Sequence, residues 1–127
     1  MGHKVFKRRC CVAGHKQFKS LIKQASSGYV IQQVLTRRLD TCNCVIGIGM
    51  VPDINKRISA EDEEWAVASA VQNMHLMCTA FGLGAKWTTP GFMALPVVKE
   101  VLALPEEGKV MGLFYVGYPD VPWPQSH

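Results

Sequence analysis

One long helical pattern limits what this chain can fold into. Ser59 is a typical N-cap residue, and acids fill positions 61–64, where the helix dipole favours negative charge. Apolar residues then recur every three or four positions over about five turns: Val67, Ala70, Val71, Met74, Met77, Cys78 and Phe81. Gly82 and Gly84 bracket its end as helix-terminating glycines. Further apolar residues on its other sides predict a helix buried all round at the centre of the domain.

Two apolar runs predict buried strands on either side of this helix in the sequence. Residues 44–50 (CVIGIGM) and 109–118 (KVMGLFYVGY) combine β-branched residues with interleaved glycines. Between helix and second strand, 85–93 reads as a loop, Pro96 opens a short helix, and 105–108 forms a turn. These elements do not alternate as in a doubly wound sheet. They predict an α+β fold, a small sheet packed around the long helix.

The N-terminal third is strongly basic. Residues 1–40 hold nine of the fourteen Lys and Arg and one acid, Asp40. Within it, 5–13 predicts a short strand and 15–25 an amphipathic helix with its lysines outward. A basic block can indicate nucleic-acid binding, but no aromatic-interleaved basic surface supports that function. A solvated helix face is the preferred interpretation, and we expect no nucleic-acid partner.

Composition indicates in which compartment the protein lies and whether it binds a metal. The 127 residues suggest one domain, and no run reaches the roughly 18 apolar residues that a membrane span needs. The five cysteines are odd in number, which favours a reducing, cytoplasmic compartment. Cys42 and Cys44 with His15 or His75 could suggest zinc, but the paired spacing of a structural site is missing. We expect no metal and no membrane partner.

Several motifs in the second half resemble the nitroreductase family. They are ASAVQNM at 68–74, GLGA at 82–85, KWTT at 86–89 and VGYP at 116–119. His3-Lys4 is similar to a His-Lys pair in the loop of one branch of that family. The resemblance covers almost the whole chain, and residues 59–119 carry it.

The resemblance implies a nitroreductase-like α+β fold with a small mixed or antiparallel sheet. Residues 1–127 would form a single domain, the C-terminal two-thirds or more of the family's domain. The family's Arg-x-Ser segment, which clamps the FMN phosphate, is not found in this sequence, so the domain is expected to be incomplete at its N-terminus. The implied function is reduction of nitro compounds, quinones or similar acceptors by an FMN-dependent, NAD(P)H-using homodimer. The alternative is a remnant that dimerises without binding flavin.

The resemblance also assigns site residues. His3, Trp87, Thr88 and Thr89 would contact FMN. A second set at the helix end would contact NAD(P)H: Cys78, Thr79, Ala80, Phe81, Gly82 and Leu83. No catalytic side chain is predicted, because the flavin carries the redox chemistry. Simpler interpretations stay open. His3 would then be an exposed terminal histidine, residues 87–89 an ordinary polar loop and residues 78–83 a plain helix stop.

Overall fold

Five elements make up the described part of the chain. The computed structural model describes residues 42–89, 91 and 96–122. In order, the elements are β1 (Cys44–Met50), α1 (Ala60–Ala80), β2 (Gly84–Thr88), α2 (Pro96–Val101) and β3 (Lys109–Gly117). The predicted strand 5–13 and helix 15–25 lie outside the described residues. Both predicted strands, the long helix and the short helix at Pro96 are confirmed, and the α+β class with them.

The three strands form an antiparallel sheet in the order β1-β3-β2. In one row of the sheet Phe114 of β3 pairs with Ile46 and with Trp87. The central strand is buried without alternation from 112 to 115, because both of its faces are covered. Between Ile48 and Gly49 the register shifts, so Met111 is the extra residue of a β-bulge.

The two ends of α1 form as the sequence predicts. The Ser59 hydroxyl accepts a hydrogen bond from the Asp62 backbone N–H at 3.1 Å. At the other end, Phe81 is the C-cap residue, and its N–H donates to the Met77 and Cys78 carbonyls. Gly82 follows with φ +69°, the left-handed conformation that glycine adopts without strain.

The prediction that α1 is buried on all sides is wrong in this chain. Val67 and Val71 are its only buried residues, and they pack with Ile48, Met50 and Phe114. Met74 and Cys78 are half-buried beside them, whereas three other members of the predicted apolar face are exposed: Ala70, Met77 and Phe81. The physical reason is that a sheet covers one side of a helix, and no other described element lies over α1.

The predicted loop 85–93 is also wrong at its start, because residues 84–88 form β2. Trp87 packs against the core between α1 and the sheet, and its indole N–H donates to the Met111 carbonyl at 3.0 Å. This pairing joins residues distant in sequence. The Thr, Pro and Gly that indicated a loop follow the strand.

The short helix α2 covers the other face of the sheet. Val98 and Leu102 are buried, and a Cβ placed on Gly47 would overlap the Leu102 side chain. Glycine in β1 therefore lets α2 and the residues after it approach the sheet closely. Over the described residues, none of the helices has both the length and the apolar character that a membrane crossing requires.

Candidate functional site

The end of β2 carries three of the four residues assigned to FMN. Successive side chains of a strand point to opposite faces, so Trp87 lies on the α1 side and Thr88 on the α2 side. The Trp87 indole N–H is already bound to the Met111 carbonyl. Trp87 therefore packs against the core, whereas the Thr88 hydroxyl makes no hydrogen bond and Thr89 is exposed to solvent.

The Thr88 hydroxyl stands out within the described part of the chain. Its oxygen is buried, and it is the one buried side-chain polar atom there without a hydrogen-bond partner. Thr88 pairs across the sheet with the fully buried Leu113. An unsatisfied buried polar group costs about 1–3 kcal/mol, so a ligand acceptor that reached this hydroxyl would recover part of that cost.

Gly112 in β3 allows the end of β2 to sit where it does. Its φ of +127° is a conformation that other residues rarely adopt. A Cβ at this position would overlap the Thr88 carbonyl oxygen and would stand 2.7 Å from the Trp87 indole nitrogen. The glycine therefore determines how closely the two predicted flavin contacts approach the central strand.

The segment assigned to NAD(P)H forms the C-terminus of α1. Leu83 N–H donates to the Cys78 carbonyl at 2.8 Å, Gly82 N–H to the Thr79 carbonyl at 3.0 Å, and the Thr79 hydroxyl to the His75 carbonyl at 3.1 Å. These donors are therefore engaged within the helix end, and a helix C-terminus carries partial negative charge that disfavours phosphate. The exposed ring of Phe81 is the group this segment offers to a ligand. Its assignment stays a prediction.

The structure does not bring the two predicted sets together along β2. Residues 78–83 precede the strand, and Thr88 ends it. Four residue steps in a strand span about 13 Å. His3, the fourth residue assigned to FMN, lies outside the described residues.

Loop 51–58 is held by charged groups that sequence reasoning did not single out. The Arg57 Nε donates to the Asp53 carboxylate at 3.0 Å, and this guanidinium holds the pKa of Asp53 below its usual value. The Asp53 backbone N–H donates to the Glu63 carboxylate at 2.7 Å, which ties the loop to the first turn of α1. These contacts are structural. Nowhere in the described ranges do three His, Cys, Asp or Glu side chains come together as a metal site.

The outer face of α1 is the larger feature that the periodicity did not reveal. From Trp65 to Ala80 the sequence has no Lys, Arg, Asp or Glu. Trp65 is 64% exposed, Leu76 58% and Met77 56%. Large apolar side chains exposed together are typical of a protein–protein interface.

A curated relative matches about half of the chain. It is the Escherichia coli (strain K12) protein YdjA, whose name places it among the NAD(P)H nitroreductases. The two are 28% identical over 67 residues, which is 53% of this chain and 37% of YdjA. The match thus spans little more than a third of the relative.

Solved structures share the fold. A nitroreductase-like family protein from Bacillus cereus superposes with a TM-score of 0.78 at 20% identity, over 100% of this chain and 72% of its own. A nitroreductase family protein from Clostridium novyi NT gives a TM-score of 0.58 at 21% identity, over 85% of this chain and 59% of its own. Iodotyrosine deiodinase, solved with FMN and 3-iodo-L-tyrosine, gives a TM-score of 0.57 at 19% identity, over 91% of this chain and 68% of its own.

A family model also matches the chain. The model described as the nitroreductase family matches residues 13–118, most of the chain. It includes the whole sheet, both helices and the end of β2, and it agrees with the motifs at 68–74 and 82–89. The chain therefore belongs to the nitroreductase family.

Proposed function

We propose that this chain is an FMN-dependent oxidoreductase that takes electrons from NAD(P)H and reduces nitro compounds, quinones or similar small acceptors. Family membership supports oxidoreductase chemistry. The name of YdjA supports NAD(P)H as the electron source, and the FMN in iodotyrosine deiodinase supports the flavin. The chain corresponds to 59–72% of the solved neighbours, so the activity of a whole family protein is part of the proposal.

The buried hydroxyl of Thr88 is the observation that carries the flavin assignment. It has no partner among the described residues, and a flavin's ring and ribityl oxygens are acceptors that a hydroxyl can satisfy. Thr88 and Thr89 would hold the cofactor from the end of β2, with His3 as a further predicted contact. When bound, FMN would accept hydride from NAD(P)H and pass electrons to the acceptor. The side chains of this chain would position the flavin and exclude water.

We further propose that the working form is a homodimer joined through the outer face of α1. Trp65 and Leu76 are separated by three helical turns on the same side and are both exposed. A helix of 21 residues is about 31 Å long, which suffices for one side of a specific interface of ordinary size. Burying this face in a second copy would remove the exposed apolar surface from water.

Replacing Thr88 with valine tests the flavin site. Valine keeps the shape and removes the hydroxyl. We expect Thr88→Val to weaken FMN binding about five- to tenfold, since one hydrogen bond contributes about 1 kcal/mol. Quenching of flavin fluorescence on titration would give the affinity. Without FMN, the variant should be as stable as the wild type or more so, because an unsatisfied buried hydroxyl is gone.

The matched control is Thr79→Val, which removes an exposed hydroxyl bound to the His75 carbonyl. It should leave FMN affinity unchanged. Equal affinities for wild type and Thr88→Val would remove Thr88 from the flavin site. If the wild-type chain bound no FMN at all, the remnant that dimerises without flavin would replace the proposed function.

A further inference from the structure

A groove opens at the end of the sheet, away from Thr88. It lies between the end of β1, loop 51–58, the start of α1 and residues 100–105, which include the last residues of α2 and the segment that follows it. We call it the β1–α2 groove. Its volume is about 1110 Å³, slightly larger than the roughly 300–1,000 Å³ that small-molecule sites usually have. The proposed flavin contacts are not among its lining residues.

The floor of the β1–α2 groove is apolar and well packed. Met50 and Val67 are buried and belong to the core beneath it. Leu104 closes one side, and a Cβ on Gly49 would stand 2.9 Å from its methyl carbons, so the glycine lets Leu104 lie directly on β1. The floor is therefore held by the fold before any ligand arrives.

The rim is apolar as well, although it faces solvent. Ile54 is 91% exposed, and Ile58 is half exposed. The loop that carries Ile54 is fixed by the Asp53–Arg57 ion pair and by the Asp53–Glu63 hydrogen bond. An exposed isoleucine on a fixed loop above an apolar floor favours an apolar occupant, because its binding would remove both surfaces from water.

The charged residues that line the groove determine which charge an apolar ligand can carry. Three carboxylates line it, and none of its lining residues is Lys, Arg or His. Asp53 is paired with Arg57, and Glu63 accepts the Asp53 N–H. The Glu100 carboxylate makes no hydrogen bond or ion pair with any residue in the described ranges. A ligand with one positive charge would find a charge-assisted partner there, whereas an anion would be repelled.

We propose that the β1–α2 groove binds a small apolar molecule that carries one positive charge, with Glu100 as its counter-ion. The apolar part lies along the end of β1, where Met50 and Val67 are on the α1 side and Leu104 is on the α2 side. This site is independent of the flavin site, so each proposal can fail without the other.

Three probes with the same eight-carbon chain test the proposal on the full chain: octylamine, octan-1-ol and octanoate. Calorimetric titration below the micellar range should show octylamine binding about two- to fivefold more tightly than octanol, with octanoate weakest, because Glu100 is exposed and an exposed ion pair contributes up to about 1 kcal/mol. Glu100→Gln should lower the affinity for octylamine to that for octanol and leave octanol unchanged. Glu107→Gln, an exposed carboxylate outside the groove, should change neither.

Ile54→Ser provides a second variant at a side chain too exposed to affect folding. It should weaken the binding of octylamine and of octanol equally, since both contact the apolar rim. Equal binding of all three probes, or octylamine binding unaffected by Glu100→Gln, would overturn the proposal. Absence of binding by every probe would also overturn it. If Ile54→Ser then converted a wild-type dimer into monomers, a second copy of the chain would be the occupant instead.

Discussion

Gly112 is a single residue on which the geometry at the end of β2 depends. It lies next to the bulged Met111 in the central strand, and its φ of +127° suits only glycine. The Trp87 indole and the Thr88 backbone occupy the space where a side chain would be. The conformation of Gly112 thus determines the positions of both the Trp87 side chain and the Thr88 hydroxyl.

Substituting Gly112 with alanine should therefore destabilise the protein strongly. The added methyl group overlaps β2 and forces a strained backbone, which together should cost at least about 2 kcal/mol. Urea unfolding would show a lower midpoint with the slope unchanged. Gly91→Ala is the control, because nothing lies within 4 Å of a Cβ there. Equal midpoints for the two variants would contradict the role given to Gly112.

At the scale of elements, α1 is the part that the sequence specifies best. Its N-cap hydroxyl, acidic first turn and terminal glycine each satisfy or complement the backbone groups left free at a helix end. Such signals are local, so they can be seen without knowing what the helix packs against. The strands β1 and β3 were predictable for a similar reason, since their apolar runs are continuous.

Ser59→Ala should show how much the N-cap contributes. Loss of the hydroxyl that accepts the Asp62 N–H should cost about 1 kcal/mol of unfolding free energy. Ser69→Ala is the matched change inside the helix, where alanine is the better helix former and stability should hold or rise slightly. Thermal unfolding of both at one protein concentration would compare them. An equally large loss of stability in Ser69→Ala would show that the N-cap hydrogen bond is not the cause of the loss in Ser59→Ala.

The features that the sequence did not predict depend on contacts between distant residues. β2 forms because Trp87 pairs with Phe114 and bonds to Met111, 24 or more positions further along the chain. The exposure of Met77 and Phe81 depends on which side of α1 meets the sheet, and apolar residues on several sides left that choice open. In the candidate site, residue types at 87–89 were predictable by resemblance, whereas the partnerless state of the Thr88 hydroxyl needed coordinates.

At the scale of the whole molecule, the proposed homodimer would bury the uncharged outer face of α1 against a second copy. A charge placed in the centre of such an interface would be buried without a partner, which typically costs about 3–5 kcal/mol. Leu76→Glu should therefore weaken self-association by at least a hundredfold. Sedimentation velocity over a range of concentrations would detect this, with far-ultraviolet circular dichroism to confirm the fold.

Val121→Glu serves as the control for that experiment, because Val121 is also exposed and apolar but lies beyond β3 rather than on α1. It should leave self-association unchanged. A wild-type chain that sediments as a monomer at every concentration would refute the proposed dimer.

Reduction of bound flavin tests the central claim most directly. The purified chain, saturated with FMN and kept free of oxygen, would be titrated with NADH and, separately, with NADPH while visible absorbance is recorded. We expect the absorbance of oxidised, protein-bound flavin to fall in proportion to one of the two nucleotides added. Failure to retain FMN, or bound flavin that stays oxidised with excess of both nucleotides, would contradict the assignment of this chain as an FMN-dependent oxidoreductase.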